Sequence, residues 1–213
     1  MIDNYADLPL GVYQEIEAIS REEGTEDIDK QVRIVALLSG MSEKDLLALP
    51  IADYSALAAK TIFLSQPIPD GVRVAKSYIC GPFTLIPTDD LAKITTAQYI
   101  DFQALAPKPD ENFVQLLSVF LVPKGCKYND GYDPKDVQNS IREGLSVQDA
   151  ITLTGYFFGL WASLMRDTLN SSEKLARKIR NPKKRMELMG QVKALRKMLA
   201  GMASPVAGGG STT

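Results

Sequence analysis

Apolar positions recur at helical spacing through most of the chain. Ile28, Val32, Val35 and Leu38 mark one helix, and Gly40 is placed to end it in the left-handed conformation. Ser42, with Asp45 three residues on, opens a short helix through Leu46, Leu47 and Leu49 that Pro50 stops. A third helix begins near Asp53 and presents Tyr54, Leu57, Ala58, Thr61 and Leu64 before Pro67 and Pro69. From Val72 the period shortens to two. Val72, Val74, Lys76, Tyr78 and Cys80 alternate with Arg73, Ala75, Ser77 and Ile79, Gly81-Pro82 punctuates, and residues 83–86 follow. This predicts two short antiparallel strands within residues 72–87, with Pro82 and Pro87 suited to edge positions.

The clearest helix start is Thr95 with Gln98, a T-x-x-Q capping box, flanked by Ile94 and Tyr99 as a hydrophobic staple. Its helix carries Tyr99, Phe102 and Leu105 and is closed by Pro107 and Pro109. Phe113, Leu116, Leu117 and Phe120 give another helix, ended by Pro123. Residues 124–133 form a turn-rich loop in which Asn129-Asp130-Gly131 favours positive φ, and Asp133-Pro134 is an N-cap followed by an N1 proline. Val137 and Ile141 then mark a helix that stops at Gly144. Ser146 with Asp149 caps the last core helix, 147–169. That helix has Ile151, Phe158, Trp161 and Met165 on one face and Leu153, Phe157, Leu160 and Leu164 on another, a pattern expected in the middle of a bundle. The resulting fold class is mainly α (α+β): a helical bundle with a small two-stranded antiparallel β element and a C-terminal basic amphipathic helix. The expected divisions are residues 1–170, a helical globular domain with the hairpin; 171–203, a basic amphipathic tail; and 204–213, a disordered Pro/Gly/Ser/Thr end.

Composition changes this picture by exclusion. At 213 residues and 45% apolar the chain is long enough for one substantial core. It contains no histidine, which removes Ser–His–Asp and Cys–His catalysis and His-based zinc sites. Cys80 and Cys126 are far apart with no CxxC and read as reduced thiols. Met1 to Leu10 is acidic, broken by Pro9 and unlike a secretory leader. The longest apolar stretch, 151–165, is too short to cross a bilayer. No phosphate loop, dinucleotide fingerprint or nucleophile elbow appears. Asp130, Asp133 and Asp136 lack the spacing of a calcium loop and serve turns and caps. The acidic residues from Glu15 to Asp29 make a solvated face. Neither cofactor nor metal is expected, and the chain is not expected to be an enzyme.

Charge is distributed unevenly. Up to Ser172 there are 24 acidic and 14 basic side chains, and from Glu173 onward 2 acidic and 10 basic. Within the basic part Leu188, Val192, Leu195, Leu199 and Met202 recur with spacing 4, 3, 4, 3. Met189 joins them, and its polar face carries Lys183, Lys184, Arg185, Lys193, Arg196 and Lys197. Methionine is flexible and polarisable and suits a surface that repacks against different partners. Leu188, Met189, Val192, Leu195, Leu199 and Met202 are therefore the candidate partner-binding residues. The stripe either takes a partner helix or folds back onto the chain's own acidic body. Nucleic acid is a poor fit, because no aromatic residue interleaves the basic run and the whole chain is net acidic. Gly155 and Gly159 form a GxxxG expected to let another helix or the hairpin approach closely.

Two stretches also carry a family resemblance. One is 27–67, DIDKQVRIVALLSGMSEKDLLALPIADYSALAAKTIFLSQP. The other runs from ITTAQYIDFQ (94–103) through LLSVFLVPKGCKYNDGYDP (116–134) to ITLTGYFFGLWASLM (151–165). Together they resemble the small tail- or baseplate-assembly chaperones of tailed bacteriophages, in which amphipathic helices lead into a short β element, a T-x-x-Q-[YF]-x-D helix start, a Pro-rich turn and a final aromatic helix. The basic, Met-rich segment after Asn170 is not part of that pattern. The resemblance implies a non-enzymatic bacteriophage protein, made in the host cell cytoplasm, that binds a hydrophobic tail component during virion morphogenesis. The implied partner is a tape-measure or baseplate protein, with self-association open beside it and with no small-molecule substrate and no membrane. The alternative is a structural virion component, a connector or minor tail protein.

Overall fold

The computed structural model describes residues 1–69, 73–179 and 181–202, without the side chains at 185, 191, 194, 195 and 197–202. The chain is 64% helical, with a small antiparallel sheet. It divides into two compact units, one of Met1–Asp89 with Ile94–Gly155, the other of Asp90–Lys93 with the chain from Tyr156 onward.

In the first unit the opening segment is structural. Tyr5, Leu8 and Leu10 are buried, and Pro9 sits at the N-cap of a helix, α1 (Leu10–Arg21). No element is predicted here from sequence, yet Leu10, Tyr13, Ile16 and Ile19 recur at helical spacing; the helix buries Leu10, Ile16 and Ile19 and turns Glu15 outward. Its predecessor residues are stitched down by backbone bonds: Ile2 N–H to Leu38 O, Leu10 N–H to Leu145 O and Val147 N–H to Leu8 O, at 2.9–3.0 Å. α2 (Asp27–Ser39) ends at Gly40 with φ of 71°, as its sequence predicts. α3 (Glu43–Leu47) is capped by Ser42, whose Oγ accepts from Asp45 N–H at 3.1 Å. α4 (Ile51–Ala59) starts two residues before the expected Asp53, directly after Pro50, and tightens into a 3₁₀ turn over Lys60–Ser65.

Two apolar clusters hold these helices. Tyr5, Leu8, Ile16, Leu38, Phe63 and Val147 make one, with the Tyr5 and Phe63 rings edge-to-face at 5.1 Å. Val32, Val35, Ala36 and Leu46 make the other. The Tyr5 hydroxyl, lying among apolar neighbours, donates toward Leu64 O at 3.2 Å and Gln66 O at 3.1 Å, at the end of the 3₁₀ turn. A buried phenol is thereby satisfied by carbonyls that have no helical partner.

The sheet has three strands, β1 (Tyr78–Cys80), β2 (Phe83–Pro87) and β3 (Leu121–Pro123), in the order β1-β2-β3. The expectation of two strands is corrected on three points. The start at Val72 lies outside the described residues, and 73–77 form no strand, so β1 is shorter than the alternation predicts. β2 is the central strand, and Pro87 closes it at the end of the ladder, opposite Leu121, where a missing N–H costs least. β3 is additional. Leu85 pairs with Tyr78 on one side and Pro123 on the other and is fully buried, while Ile79 on β1 is 79% exposed.

α5 (Thr96–Leu105) begins with both halves of its capping box made: Gln98 N–H to Thr95 Oγ1 at 3.2 Å and Thr95 N–H to Gln98 Oε1 at 3.0 Å. Tyr99, half of the expected staple, is exposed, and Ile94 is half-buried. α6 (Phe113–Phe120) passes straight into β3 without a turn. Its last carbonyls are taken by residues from elsewhere: Gln98 Nε2 donates to Val119 O at 2.9 Å and Thr88 N–H to Phe120 O at 2.8 Å. α7 (Pro134–Gly144) has Asp133 as its N-cap and packs on α1, α6 and β1. Its final residue, Gly144, lies so close to β1 that a Cβ there would sit 2.9 Å from Cys80 Cα.

α8 (Val147–Lys178) is longer than the expected 147–169 and runs through Asn170–Ser172, so the expected boundary at residue 170 falls inside a helix. It is also one-sided. Ala150, Leu153, Phe157 and Trp161 are buried, whereas Ile151 and Phe158 are exposed, so the reading of a helix apolar on both faces and buried all round is corrected. Gly155 and Gly159 are exposed, and a Cβ at either meets nothing within 4 Å, so no described element approaches closely there.

In the second unit α8 and α9 (Pro182–Met202) form an antiparallel hairpin. Arg196 donates to Glu173 Oε1 at 2.5 Å across it, which only a reversal between Lys178 and Pro182 allows. Asn181 caps α9, accepting from Lys183 N–H at 3.0 Å. The expected disordered end, 204–213, lies outside the described residues.

The two glycine environments differ in a measurable way. Gly144→Ala forces α7 away from β1 and lowers stability by about 1–3 kcal/mol in urea unfolding. Gly155→Ala gains helix propensity in open space and raises stability by up to about 1 kcal/mol. A neutral first variant, or a second one as damaging as the first, would contradict the packing described.

Candidate docking surfaces

The residues singled out by the 4-3-4-3 stripe do not share one environment. Val192 is 2% exposed and Leu188 is half-buried, so this part of the stripe is spent within the chain itself. Met189 is 45% exposed, and Met186, one turn earlier, is 74% exposed. Leu195, Leu199 and Met202 lie in α9, but their side chains are outside the described residues. Their hairpin explains the arrangement: an amphipathic helix returning along α8 turns Val192 inward and leaves Met186, Met189 and Lys193 outside.

A second apolar surface was not singled out by the sequence. α1, α2 and the α4–3₁₀ segment enclose an open groove of about 570 Å³. Its apolar lining is Tyr13 and Ile16 from α1, Ile34 from α2, and Ala58, Ile62 and Leu64 from the third wall. Ile62 is 67% exposed. The reason is local. Thr61 bonds back to Ala58 O at 2.8 Å, and the 3₁₀ turn directs Phe63 into the core, leaving its neighbour Ile62 outside. Around the rim lie Glu17, Asp27 and Lys30. Glu17 pairs with Arg21 and Lys30 bonds Ser20 O, which leaves Asp27 without an ionic partner on that rim. Ile62, out of register with the half-buried Thr61 and Leu64, is the sequence feature that marks this groove.

Tyr13 carries an electrostatic signature of the groove. Burial, and then the neighbouring Glu17, push its phenol from the ordinary 10 to about 12. Away from the groove lining, Arg33 of α2 grips the carboxylate of Glu22, just past the end of α1, with Nη2 at 3.0 Å from Oε1, and holds that carboxyl below the usual range.

A third cleft, of about 250 Å³ and lined by both polar and apolar side chains, lies between α5, α6, α7 and the loop before α7. Tyr128 donates to Asp101 Oδ2 at 2.8 Å, and Tyr132 Oη accepts from Asn129 N–H at 3.1 Å. Asn129 has φ of 57°, the positive value its Asn-Asp-Gly context predicts. Asp133 is confirmed as a cap, its Oδ1 accepting from Lys135 N–H at 2.8 Å.

The thiols are separate and free. Cys80 is buried on β1, where desolvation and then Asp149 push it up to about 11, and Cys126 is half-buried in the loop. Among the described residues no cluster of carboxylates and thiols is arranged to hold a metal, and no helix is long and apolar enough to cross a membrane. No family model, curated protein or solved structure matches this chain.

Stability should fall on the alkaline side. The folded value of Tyr13 lies above its unfolded value, as do those of Tyr5, Tyr128 and Tyr132. Their contribution is intact below pH of about 10 and is lost as pH rises through the folded values. Urea midpoints measured at pH 8 and at pH 11 should therefore drop, and drop less in Tyr13→Phe; equal midpoints would refute the burial of these phenols.

Proposed function

We propose that this chain is a non-enzymatic bacteriophage assembly protein, a tail assembly chaperone that shields an apolar helical segment of a tape-measure-like tail component until assembly covers it. The observation that carries this reading is Ile62, two-thirds exposed at the lip of a groove with an apolar floor. A groove walled by helices takes the apolar stripe of an amphipathic helix through anchors at i, i+3 or i+4 and i+7. The exposed Met186 and Met189 on basic α9 supply a second adaptable contact on the other unit. The resemblance of 27–67 to phage assembly chaperones falls on the segment that builds two of the groove's three walls, α2 and the α4–3₁₀ turn.

In this reading the client's apolar side chains replace water over Ile62 and its neighbours, gaining about 25 cal/mol per Å² of apolar surface covered. Such coverage is reversible by design, because polymerisation of the client offers it a larger apolar contact. The reading places the protein in the cytoplasm of the infected host during assembly.

Co-expression with the tape-measure protein of the same phage is the test. Ile62→Asp should reduce the client recovered by affinity purification at least tenfold, with thermal unfolding unchanged within the scatter of surface substitutions. Undiminished recovery would remove the groove from the mechanism. Mass spectrometry of purified particles should find the protein absent or scarce; a fixed copy number per particle would instead make it a structural virion component.

A further inference from the structure

We propose that the cleft between α5, α6, α7 and the preceding loop, where Asp101 sits beside two tyrosines, binds a guanidinium group, and so captures an arginine side chain of a partner polypeptide. It shares no residue with the groove between α1 and α2 and stands independently of it.

Charge is the first argument. Asp101 is the one carboxylate among the described residues lining the cleft, and no lysine or arginine lines it. Among the described residues Asp101 makes no ion pair; its Oδ2 receives the Tyr128 hydroxyl, and no described donor reaches its Oδ1. A half-buried carboxylate with an oxygen to spare and no counter-ion among its described neighbours is matched by a cation. An anionic ligand would meet the Asp101 charge with no lysine or arginine in the lining to offset it.

The second argument is the chemistry of the remaining walls. Gln115 and Gln138 add neutral amide oxygens to the same lining, while the Ser118 hydroxyl is already engaged, donating to Gln115 O and accepting from Gln138 Nε2. Tyr128 and Tyr132 both line the cleft, and each phenol is held protonated by burial, with the Asp101 bond and charge reinforcing the effect on Tyr128. Neutral aromatic rings beside a carboxylate suit a delocalised planar cation, which stacks on a ring face while its fork of donors reaches several acceptors. A lysine ammonium offers a point charge without the fork and should bind less well.

Size and rigidity are the third. About 250 Å³ is below the range of drug-sized ligand pockets and fits one long side chain, not a helix. The loop is pre-set by Asn129 at positive φ, by the Lys127–Asp130 bridge and by the Tyr128–Asp101 bond. A guest therefore has little ordering to impose.

The probe is N-acetyl-L-arginine amide, titrated into the isotope-labelled full chain and followed by amide chemical shifts. Saturable shifts at Asp101, Tyr128, Asn129 and Tyr132 are expected, with N-acetyl-L-lysine amide at least threefold weaker. Asp101→Asn keeps an acceptor for Tyr128 but removes the charge, and should weaken arginine binding at least tenfold. Should that variant unfold, Tyr132→Leu replaces it, with an expected loss of at least threefold. Absence of saturable shifts, or parental affinity in the folded variants, overturns the proposal. Saturation of the same resonances by N-acetylglucosamine with indifference to Asp101→Asn overturns it too, and makes the cleft a saccharide site.

Discussion

The first unit depends on the tethering of its opening residues. Leu10 and Val147 exchange backbone hydrogen bonds with Leu145 and Leu8, so the entrance of α1 and the entrance of α8 form one miniature bridge. Tyr5 drives its ring into the same place and ties off the 3₁₀ turn with its hydroxyl. Residues more than 130 positions apart are thus held in register by backbone pairing in an apolar surround, where each bond is shielded from competing water. Because α1 supplies one wall of the groove, that bridge fixes where this wall starts, while the Ile2–Leu38 bond and the Tyr5 hydroxyl tie the same opening segment to the other two walls.

The helix-to-strand passage at Phe120–Leu121 imposes a comparable constraint on the other side of the unit. A helix that enters a strand directly has no turn to absorb its orphan carbonyls. Gln98 and Thr88 absorb two of them, which makes Gln98 both a cap for α5 and a brace for α6. The Asp101 cleft lies between these same helices, so the residue that caps α5 also braces the α6 wall that faces Asp101.

Sequence was most informative where a local motif forms its own bonds. Ser42, Thr95–Gln98, Asp133-Pro134 and Gly40 all do in the structure what their neighbours predict, because capping is decided within four residues. It was least informative where a partner lies far along the chain. β3 follows an unbroken helical pattern and becomes a strand only because β2 is there to pair with it. α1 was overlooked because Pro9 and the surrounding acids read as a broken, solvated start. Its inward residues, Leu10, Ile16 and Ile19, acquire meaning from Leu38, Phe63 and Val147. The stripe on α9 has the periodicity expected, but periodicity alone does not say whether an apolar face is occupied at home, and Val192 is. The Asp101–Tyr128 pair, 27 positions apart, left no pattern to find.

Ile79 has one further consequence. It stands out from an edge strand only three residues long, followed at once by Gly81-Pro82. A strand that brief offers too few free amides for cross-chain stacking, and the sheet's other margin ends in Pro123, which has no amide to give. A greasy side chain can therefore sit in the open on this edge without making it a template for strand addition.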